Sequence, residues 1–337
     1  MAGIQEVKKS TASHLLQLIS QVSEKLPTME MAECFDPIKE LGTGSYGKVL
    51  LAKHRHSGEM AAVKFLRKEK TLRDNFLVEY GISLSLSHHP HIITTYDVAF
   101  QTSNEYVFAQ EVAQAGTMLS MVKPKVGMNE ELLKRCVPQI CTALDYMHSH
   151  GLIHHDVKLD NILLMDPECH LVKLSDFGLT RLQGTFTPAM SWYIPYMAPE
   201  LCSLGKGENL LLHYSLDVWA FGVLLYIALI GSFPWQSALH EDDKYRDFAS
   251  WQGNKDLTAA PGNWENISLT AREMFWSMLA LDANERCSAM DCVQYRREDF
   301  YRITYRPSLN LISKHGCHPG GQKEHSITPP STNISGI

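Results

Sequence analysis

The sequence predicts an α+β protein of two unequal lobes, a small one built on an antiparallel sheet with one main helix and a larger, mostly helical one. Between residues 38 and 112 the apolar residues fall in short β-rich runs. Beyond residue 116 they fall in runs long enough to form helices. A chain of 337 residues is also long enough for two lobes that share a cleft.

The composition is that of an ordinary globular protein, with 45% hydrophobic and 20% charged residues. A formal net charge of -6 and the lack of a lysine and arginine block argue against a nucleic-acid partner. The eight cysteines are scattered without a CxxC pair, which predicts reduced thiols rather than a zinc or redox site. No apolar run follows a basic stretch near residue 1, so we expect no secretory signal and a cytoplasmic or nuclear protein.

Residues 1–34 form an extension ahead of the β-rich region. Its apolar residues have helical spacing, and they are Leu15, Leu16, Ile19 and Val22. The pattern stops near Pro27, where a helix would be broken. This predicts a short amphipathic helix that docks on the main body.

The small lobe starts with two β-rich runs, 49–52 and 61–65, on either side of a Ser57-Gly58 turn. Together they predict an antiparallel hairpin. A helix and two more strands should follow, at 75–86, 92–96 and 106–112.

The larger lobe contains three long runs that predict helices, at 130–149, 216–231 and 268–281. The second is almost membrane-like in composition. It is shorter than the roughly 18 to 20 residues that a bilayer span needs, and Asp217 stands at its head, so we interpret it as a buried core helix. From residue 306 the chain is rich in Gly, Pro, Ser, Thr and His, which predicts a mobile tail at 306–337.

A glycine-rich run, 42–47, lies between the first two predicted strands. Its G-x-G-x-x-G spacing also occurs in dinucleotide-binding folds, where the third glycine opens a helix. Here Gly47 leads directly into the strand that contains Val49. Glycines between antiparallel strands can form a flap whose backbone N–H groups face phosphate oxygens. The context therefore favours a nucleotide flap.

Lys64 alternates with apolar residues on the strand after the hairpin. Taken alone, such a lysine is more often an exposed strand residue. Paired with a carboxylate on the next helix, its ammonium would become a fixed charge that can hold the α- and β-phosphates of a nucleotide. We expect Glu79 to be this partner, because Glu69 lies too close along the chain to reach back.

Two polar segments supply the other groups that phosphoryl transfer requires, and they contain Asp156, Lys158, Asn161 and Asp176. Asp156 would orient the attacking hydroxyl and accept its proton, while Asn161 and Asp176 would bind magnesium through oxygen. Lys158 would neutralise charge that develops on the transferred phosphoryl group. Any one of these residues could instead be a polar loop residue that caps a helix end.

Taken together, these motifs resemble those of eukaryotic protein kinases of the serine/threonine type. They follow the family's order over residues 38–301: the glycine flap, Lys64, Glu79, the loop at Asp156, Asp176-Phe-Gly178, Ala198-Pro-Glu200, Asp217 and Arg286. Three shorter phrases, at 106–111, 218–223 and 231–235, resemble the SBK kinases, a group named for binding Src-homology-3 domains.

The resemblance implies the bilobal protein kinase fold, with a kinase domain at 35–305 made of lobes at 35–112 and 117–305. It also implies ATP and Mg²⁺ as cofactors, serine or threonine hydroxyls of proteins as acceptors of the γ-phosphate, and a monomer. The residues implied in nucleotide binding are Leu41, Gly42, Thr43, Gly44, Ser45, Tyr46, Gly47, Lys48, Val49, Ala62, Lys64, Glu79, Glu111 and Ala113.

Further contacts are implied by the same resemblance. Glu200 should pair with Arg286, and Asp217 should brace the catalytic loop from below. Lys158, two residues after the catalytic aspartate, is typical of serine/threonine kinases rather than tyrosine kinases. A kinase for small metabolites is disfavoured, because the Ala198-Pro-Glu200 and Asp217 elements belong to the peptide-binding lobe of protein kinases.

The chain departs from the family pattern at three positions. His155 replaces the arginine that binds an activation-segment phosphate, and imidazole is mostly neutral at cytosolic pH, so we expect activity without phosphorylation between Asp176 and Glu200. Trp192 and Tyr193 replace a glycine and a threonine and could narrow the peptide groove. They favour the alternative of a kinase-like interaction module without turnover. No Pro-x-x-P element occurs, so a Src-homology-3 partner is not supported.

Overall fold

The computed structural model describes residues 17, 19–24, 26–189 and 195–301. The helices and strands of its small lobe are α1 (Met31–Cys34), β1 (Phe35–Thr43), β2 (Gly47–His54), β3 (Met60–Arg67), α2 (Arg73–Leu86), β4 (Thr95–Gln101) and β5 (Glu105–Gln110). The five strands form one antiparallel sheet in the order β1-β2-β3-β5-β4. Helix α2 packs against β4 and β5.

The large lobe is mainly helical, with short strand pairs around the cleft. Its elements are α3 (Glu130–Ser149), β6 (Leu152–Ile153), β7 (Ile162–Leu164), β8 (Val172–Leu174), β9 (Arg181–Leu182), β10 (Phe186–Pro188), α4 (Pro199–Cys202), β11 (Asn209–Leu211), α5 (Ser215–Ile230), α6 (Asp243–Asn254) and α7 (Leu269–Met278). The predicted α+β fold of two unequal lobes is confirmed.

Helix α3 shows why the long runs are helical. The side chain of Asn129 accepts hydrogen bonds from the N–H groups of Glu131 (2.9 Å) and Leu132 (3.2 Å), which caps the first turn. One face then carries buried apolar residues at helical spacing, namely Leu133, Val137, Ile140, Leu144 and Met147. The cap fixes where the helix begins, and the apolar face packs it into the core of the large lobe.

Helix α5 is the predicted core helix, and all 16 of its residues are buried. It ends at Gly231, whose φ of +76° is accessible to glycine at little cost. A Cβ at this position would lie 2.3 Å from the carbonyl oxygen of Lys123, so only glycine fits. In the described part of the chain no helix is both long and apolar enough to cross a membrane.

The strand predicted at 92–96 exists but begins three residues later than predicted. The fourth strand starts at Thr95 and runs to Gln101, whereas Ile92 and Ile93 are completely buried between the strands of the two lobes. Ile92 forms an isolated bridge with Leu174, and the Ile93 N–H donates to the Leu174 carbonyl (3.0 Å). Burial, rather than membership of the five-stranded sheet, explains the apolar character of this stretch.

The extension ahead of the two lobes is partly described. Residues 19–24 are helical, and Ile19 and Val22 pack on the small lobe as the spacing predicts. Leu15, Leu16 and the predicted tail at 306–337 lie outside the described residues.

Candidate active site

Lys64, on β3, is the centre of a partly buried ionic cluster. Its Nζ atom lies 2.7 Å from Glu79 Oε1, on helix α2, and 2.9 Å from Asp176 Oδ1. The predicted choice of Glu79 as partner is therefore confirmed, since Glu69 instead lies 3.6 Å from Arg67. The cluster joins the sheet, the helix and the Asp-Phe-Gly segment of the large lobe.

The charges of this cluster are set by their mutual contacts. Burial alone would lower the pKa of Lys64, but the carboxylates of Asp176 and Glu79 outweigh it and raise that pKa above its usual value. The Lys64 ammonium lowers the pKa of Asp176 to about 2, against the opposing effect of burial. Burial raises the pKa of Glu79, and Lys64 opposes that shift. At neutral pH Lys64 is a cation beside an ionised Asp176.

Asp217 holds the catalytic loop, as the family pattern implies. Its Oδ2 and Oδ1 atoms accept the backbone N–H groups of His154 and His155, each at 2.8 Å, and His148 Nε2 lies 2.9 Å from Oδ2. Burial alone would raise the pKa of Asp217, but the bonds from His148 and His155 outweigh it and hold that pKa below its usual value. These bonds stabilise the left-handed backbone of His155, whose φ is +66°.

The loop presents Asp156 with one oxygen engaged and the other open. Asp156 Oδ2 accepts hydrogen bonds from Lys158 Nζ (2.8 Å) and Asn161 Nδ2 (2.9 Å). Asn161 Nδ2 also donates to the Asp156 carbonyl (2.8 Å), which fixes the amide with its Oδ1 atom turned away. Among the described residues nothing bonds to Asp156 Oδ1, so this oxygen is available to accept a proton from a substrate hydroxyl.

Asn161 and Asp176 together suit a magnesium ion. Lys64 engages only Oδ1 of Asp176, and the carboxamide Oδ1 of Asn161 has no hydrogen-bond donor among the described residues. Both free atoms are oxygens, which Mg²⁺ prefers as ligands. Ser175, next to Asp176, donates its N–H (2.9 Å) and its hydroxyl (3.0 Å) to the Asn161 carbonyl and so keeps the two segments adjacent.

The glycine flap contains glycines of two kinds. At Gly47 a Cβ would lie 1.7 Å from the carbonyl oxygen of Phe65, so sheet packing itself requires glycine. At Gly42 and Gly44 an added Cβ would meet no atom within 4 Å, so packing within the described protein does not explain them. A bare backbone there suits close approach by a ligand.

Other flap residues differ in the direction of their side chains. Val49 pairs with Lys64 across β2 and β3, so the two side chains share the face of the sheet toward α2. Lys48 lies on the opposite face, 3.9 Å from Glu105 and over the Phe65 ring. From Lys48, only the backbone can therefore face a nucleotide. The remaining flap positions, Leu41, Thr43, Ser45 and Tyr46, are exposed.

At the back of the cleft, Ala62 pairs with Gln110 across β3 and β5, on the face that carries Lys64. The Glu111 carboxylate accepts the Thr94 N–H (2.6 Å) and forms an ion pair with Lys173 of β8. The side chain of Glu111 is thereby occupied, and its N–H donates to the Thr94 carbonyl (2.9 Å), so the Glu111 carbonyl is the group left to meet a base, beside the backbone of the half-buried Ala113. Sequence reasoning missed this ion pair, although a lysine within the apolar strand β8 signals a buried partner.

The large lobe contains the other predicted ion pair. Arg286 Nη1 and Nη2 lie 2.6 Å and 2.7 Å from the two carboxylate oxygens of Glu200, and the arginine side chain is completely buried over the Trp219 ring. The predicted Glu200–Arg286 contact is confirmed. Trp192 and Tyr193, which the sequence marks as departures, lie outside the described residues.

Comparison with known proteins agrees with this geometry. Residues 35–296 match the protein kinase domain. Serine/threonine-protein kinase SBK1 of Danio rerio is 44% identical over 277 residues, which are 82% of this chain and 72% of that protein. Serine/threonine-protein kinase SBK1 of Mus musculus is 41% identical, over 84% of this chain and 68% of that protein.

A further relative, serine/threonine-protein kinase SBK2 of Rattus norvegicus, is 38% identical over 273 residues, which are 80% of this chain and 75% of that protein. The matches to all three relatives span both lobes, and the site residues lie within the matched domain. The chain therefore belongs to the protein kinase family and, within it, is a member of the SBK group of serine/threonine kinases.

Proposed function

We propose that this chain is an ATP- and Mg²⁺-dependent protein kinase that phosphorylates serine and threonine hydroxyls of other proteins. The observation that carries the proposal is the Lys64 ammonium, 2.7 Å from Glu79 and 2.9 Å from Asp176, at the junction of the two lobes. Such a cation, held beside an ionised carboxylate, suits a magnesium-bound triphosphate.

Each group has a distinct part in the proposed reaction. ATP bound with magnesium supplies the phosphoryl group. Asp176 and Asn161 would hold the metal through oxygen, and Lys64 would hold the α- and β-phosphates. Asp156 would orient the acceptor hydroxyl through Oδ1 and take its proton. Lys158, already 2.8 Å from Asp156, would balance the charge that develops during transfer.

The proposal also covers organisation and location. We propose a kinase domain at 35–305, preceded by an extension at 1–34 and followed by a tail at 306–337, in a monomeric chain. The described cysteines are all free thiols, which suits a reducing compartment such as the cytoplasm. The SBK1 and SBK2 relatives carry serine/threonine kinase names, and Lys158 supports the same acceptor specificity.

Transfer of ³²P from γ-labelled ATP to an array of serine, threonine and tyrosine peptides tests the function. We expect label on serine or threonine peptides, and at least about a hundredfold less with an Asp156→Asn variant that folds normally. Equal labelling by the parent chain and this variant would contradict the proposal and favour the kinase-like interaction module. Label confined to tyrosine peptides would contradict the acceptor specificity.

Residues 185–188 of the activation segment are held in place by backbone contacts. Strand β10 pairs with β11, and the Leu212 N–H donates to the Thr185 carbonyl (2.8 Å). Burial lowers the pKa of His155, and its Nε2 atom is buried without a hydrogen-bond partner in the described structure. A neutral, enclosed imidazole does not attract phosphate as an arginine would. These observations support activity without phosphorylation of this segment.

Simultaneous Thr185→Ala, Thr187→Ala and Ser191→Ala substitutions should change kcat/KM by less than about threefold, because the proposed mechanism needs no phosphate on this segment. A threefold change corresponds to ~0.7 kcal/mol in the activation free energy of the reaction. Thr180 is left intact, since it is buried and bonded to the His154 carbonyl. Peptide phosphorylation is measured before and after phosphatase treatment of the parent chain. Loss of most activity in either case would show that a phosphate is required.

A further inference from the structure

Residues 19–24 and 26–29, which we call the N-terminal strap, pack on the small lobe at helix α2. Ile19, Val22 and Leu26 are half-buried and contact a cluster that joins α2 to β3 and β5. The buried members of this cluster are Leu66, Phe76, Leu77, Tyr80, Tyr106 and Phe108. Ile19 also contacts the main core cluster, which includes Ile82 and Leu86 of α2. Removal of this apolar surface from water stabilises the docked position.

Polar contacts fix the strap at two further points. Arg73, the first residue of α2, donates from Nη1 to Ser23 Oγ (2.9 Å) and from Nη2 to the Ser23 carbonyl (2.8 Å). The strap then follows β4, the edge strand of the sheet. The Gln101 N–H donates to the Pro27 carbonyl (2.9 Å), and the Met29 N–H donates to the Gln101 carbonyl (3.0 Å). The strap is therefore bonded to the start of α2 and to the sheet.

These contacts enclose the helix that carries Glu79. Every residue from 76 to 86 is buried or half-buried, and Glu79 itself is only 7% exposed. Phe76, Leu77 and Tyr80, which form part of the strap's contact cluster, lie within one turn of Glu79. A rotation of α2 that moved Glu79 away from Lys64 would have to disturb this packing.

We propose that the strap is a positioning element for the phosphoryl-transfer site and that, by packing on α2, it holds Glu79 in its ion pair with Lys64. This inference rests on the proposed kinase function. In the structure the docked strap occurs together with the 2.7 Å contact between Lys64 and Glu79. On this proposal, the docked strap favours the arrangement that binds phosphates. The chain would supply this support itself, in keeping with the proposed activity without phosphorylation of the activation segment.

The test uses the full-length chain with an Ile19→Asp/Val22→Asp double variant, which places charge at the packed face. The matched control is Ser20→Asp/Gln21→Asp, because both residues are exposed on the same helical turn. We expect kcat/KM for ATP to fall by about 5- to 150-fold in the first variant, as is usual for coupled sites, and to stay nearly unchanged in the control. An Ile19→Ala/Val22→Ala variant, which adds no charge, should give a smaller loss in the same direction.

A double-mutant cycle separates positioning from general destabilisation. In a Glu79→Gln background, the strap substitutions should cause little further loss of the residual single-turnover rate, because the strap acts through Glu79. An equal further loss in that background would overturn the proposal. A rise in activity would also overturn it, because the strap would then restrain the kinase.

Hydrogen exchange gives a readout that does not depend on activity. The strap variants should speed amide exchange at 76–86 and leave 133–147 of α3 unchanged. Unchanged exchange at 76–86 would overturn the proposal. Equal acceleration of exchange in α2 and α3 by the Ile19→Ala/Val22→Ala variant would also overturn it. If the parent chain transfers no phosphate, the proposed function is wrong. Amide hydrogen exchange at 76–86 would still show whether the strap stabilises the position of α2.

Discussion

The Asp156→Asn substitution is expected to lower kcat for peptide phosphorylation by about 10²- to 10⁴-fold, the usual contribution of a positioned general base. An asparagine keeps the size of the side chain. Its oxygen can still accept from Lys158 and Asn161, which both donate to Oδ2 of the aspartate. Its amide nitrogen would then occupy the position of Oδ1 and could not take a proton. The KM for ATP should therefore change little, because no contact to the nucleotide is assigned to Asp156.

Asp160→Asn is the matched control for this prediction. It makes the same chemical change four residues along the catalytic loop, at an exposed carboxylate. Steady-state kinetics on one peptide, with thermal melting to verify folding, would compare the two variants. A kcat for Asp156→Asn above a tenth of the parent value, or an equal loss in Asp160→Asn, would exclude Asp156 as the base.

Local sequence patterns were enough to predict those helices whose own residues show both where the helix begins and which face is buried. Helix α3 has a capping Asn129 and a continuous apolar face, and α5 is so apolar that only a buried position suits it. The choice between Glu69 and Glu79 could be made from distance along the chain alone. For such features the sequence contains the whole physical argument.

Other contacts depend on residues far apart in the chain, and local pattern could not reveal them. The pairing of β10 with β11 joins Phe186 to Leu211, although neither run looks like a strand by itself. Glu111 and Lys173 meet across the cleft, 62 residues apart. Ile92 is a residue type that favours strands, yet it lies between the lobes and forms only an isolated bridge with Leu174. In each case tertiary packing overrides local propensity.

The Arg286→Ala substitution is expected to lower the free energy of unfolding by about 3 to 5 kcal/mol, the usual cost of breaking a buried ion pair by removing one partner. Arg286 is completely buried, and besides Glu200 it donates to the carbonyls of Ala280 (2.9 Å) and Ser215 (3.2 Å). Alanine would leave the Glu200 carboxylate without its cation and these carbonyls without their donors. The loss would be a large part of a total stability of about 5 to 15 kcal/mol.

Arg246→Ala provides the control, because it breaks an exposed ion pair with Asp243 on helix α6. That pair is screened by water, so its loss should cost less than about 1 kcal/mol. Urea unfolding followed by tryptophan fluorescence measures both variants, and Trp219 lies directly beside the buried guanidinium. A difference between the two variants of less than about 1 kcal/mol would mean that the Glu200–Arg286 pair is no stronger than a surface contact. The connection between the Ala198-Pro-Glu200 segment and the core helix α5 would then have to depend on apolar packing alone.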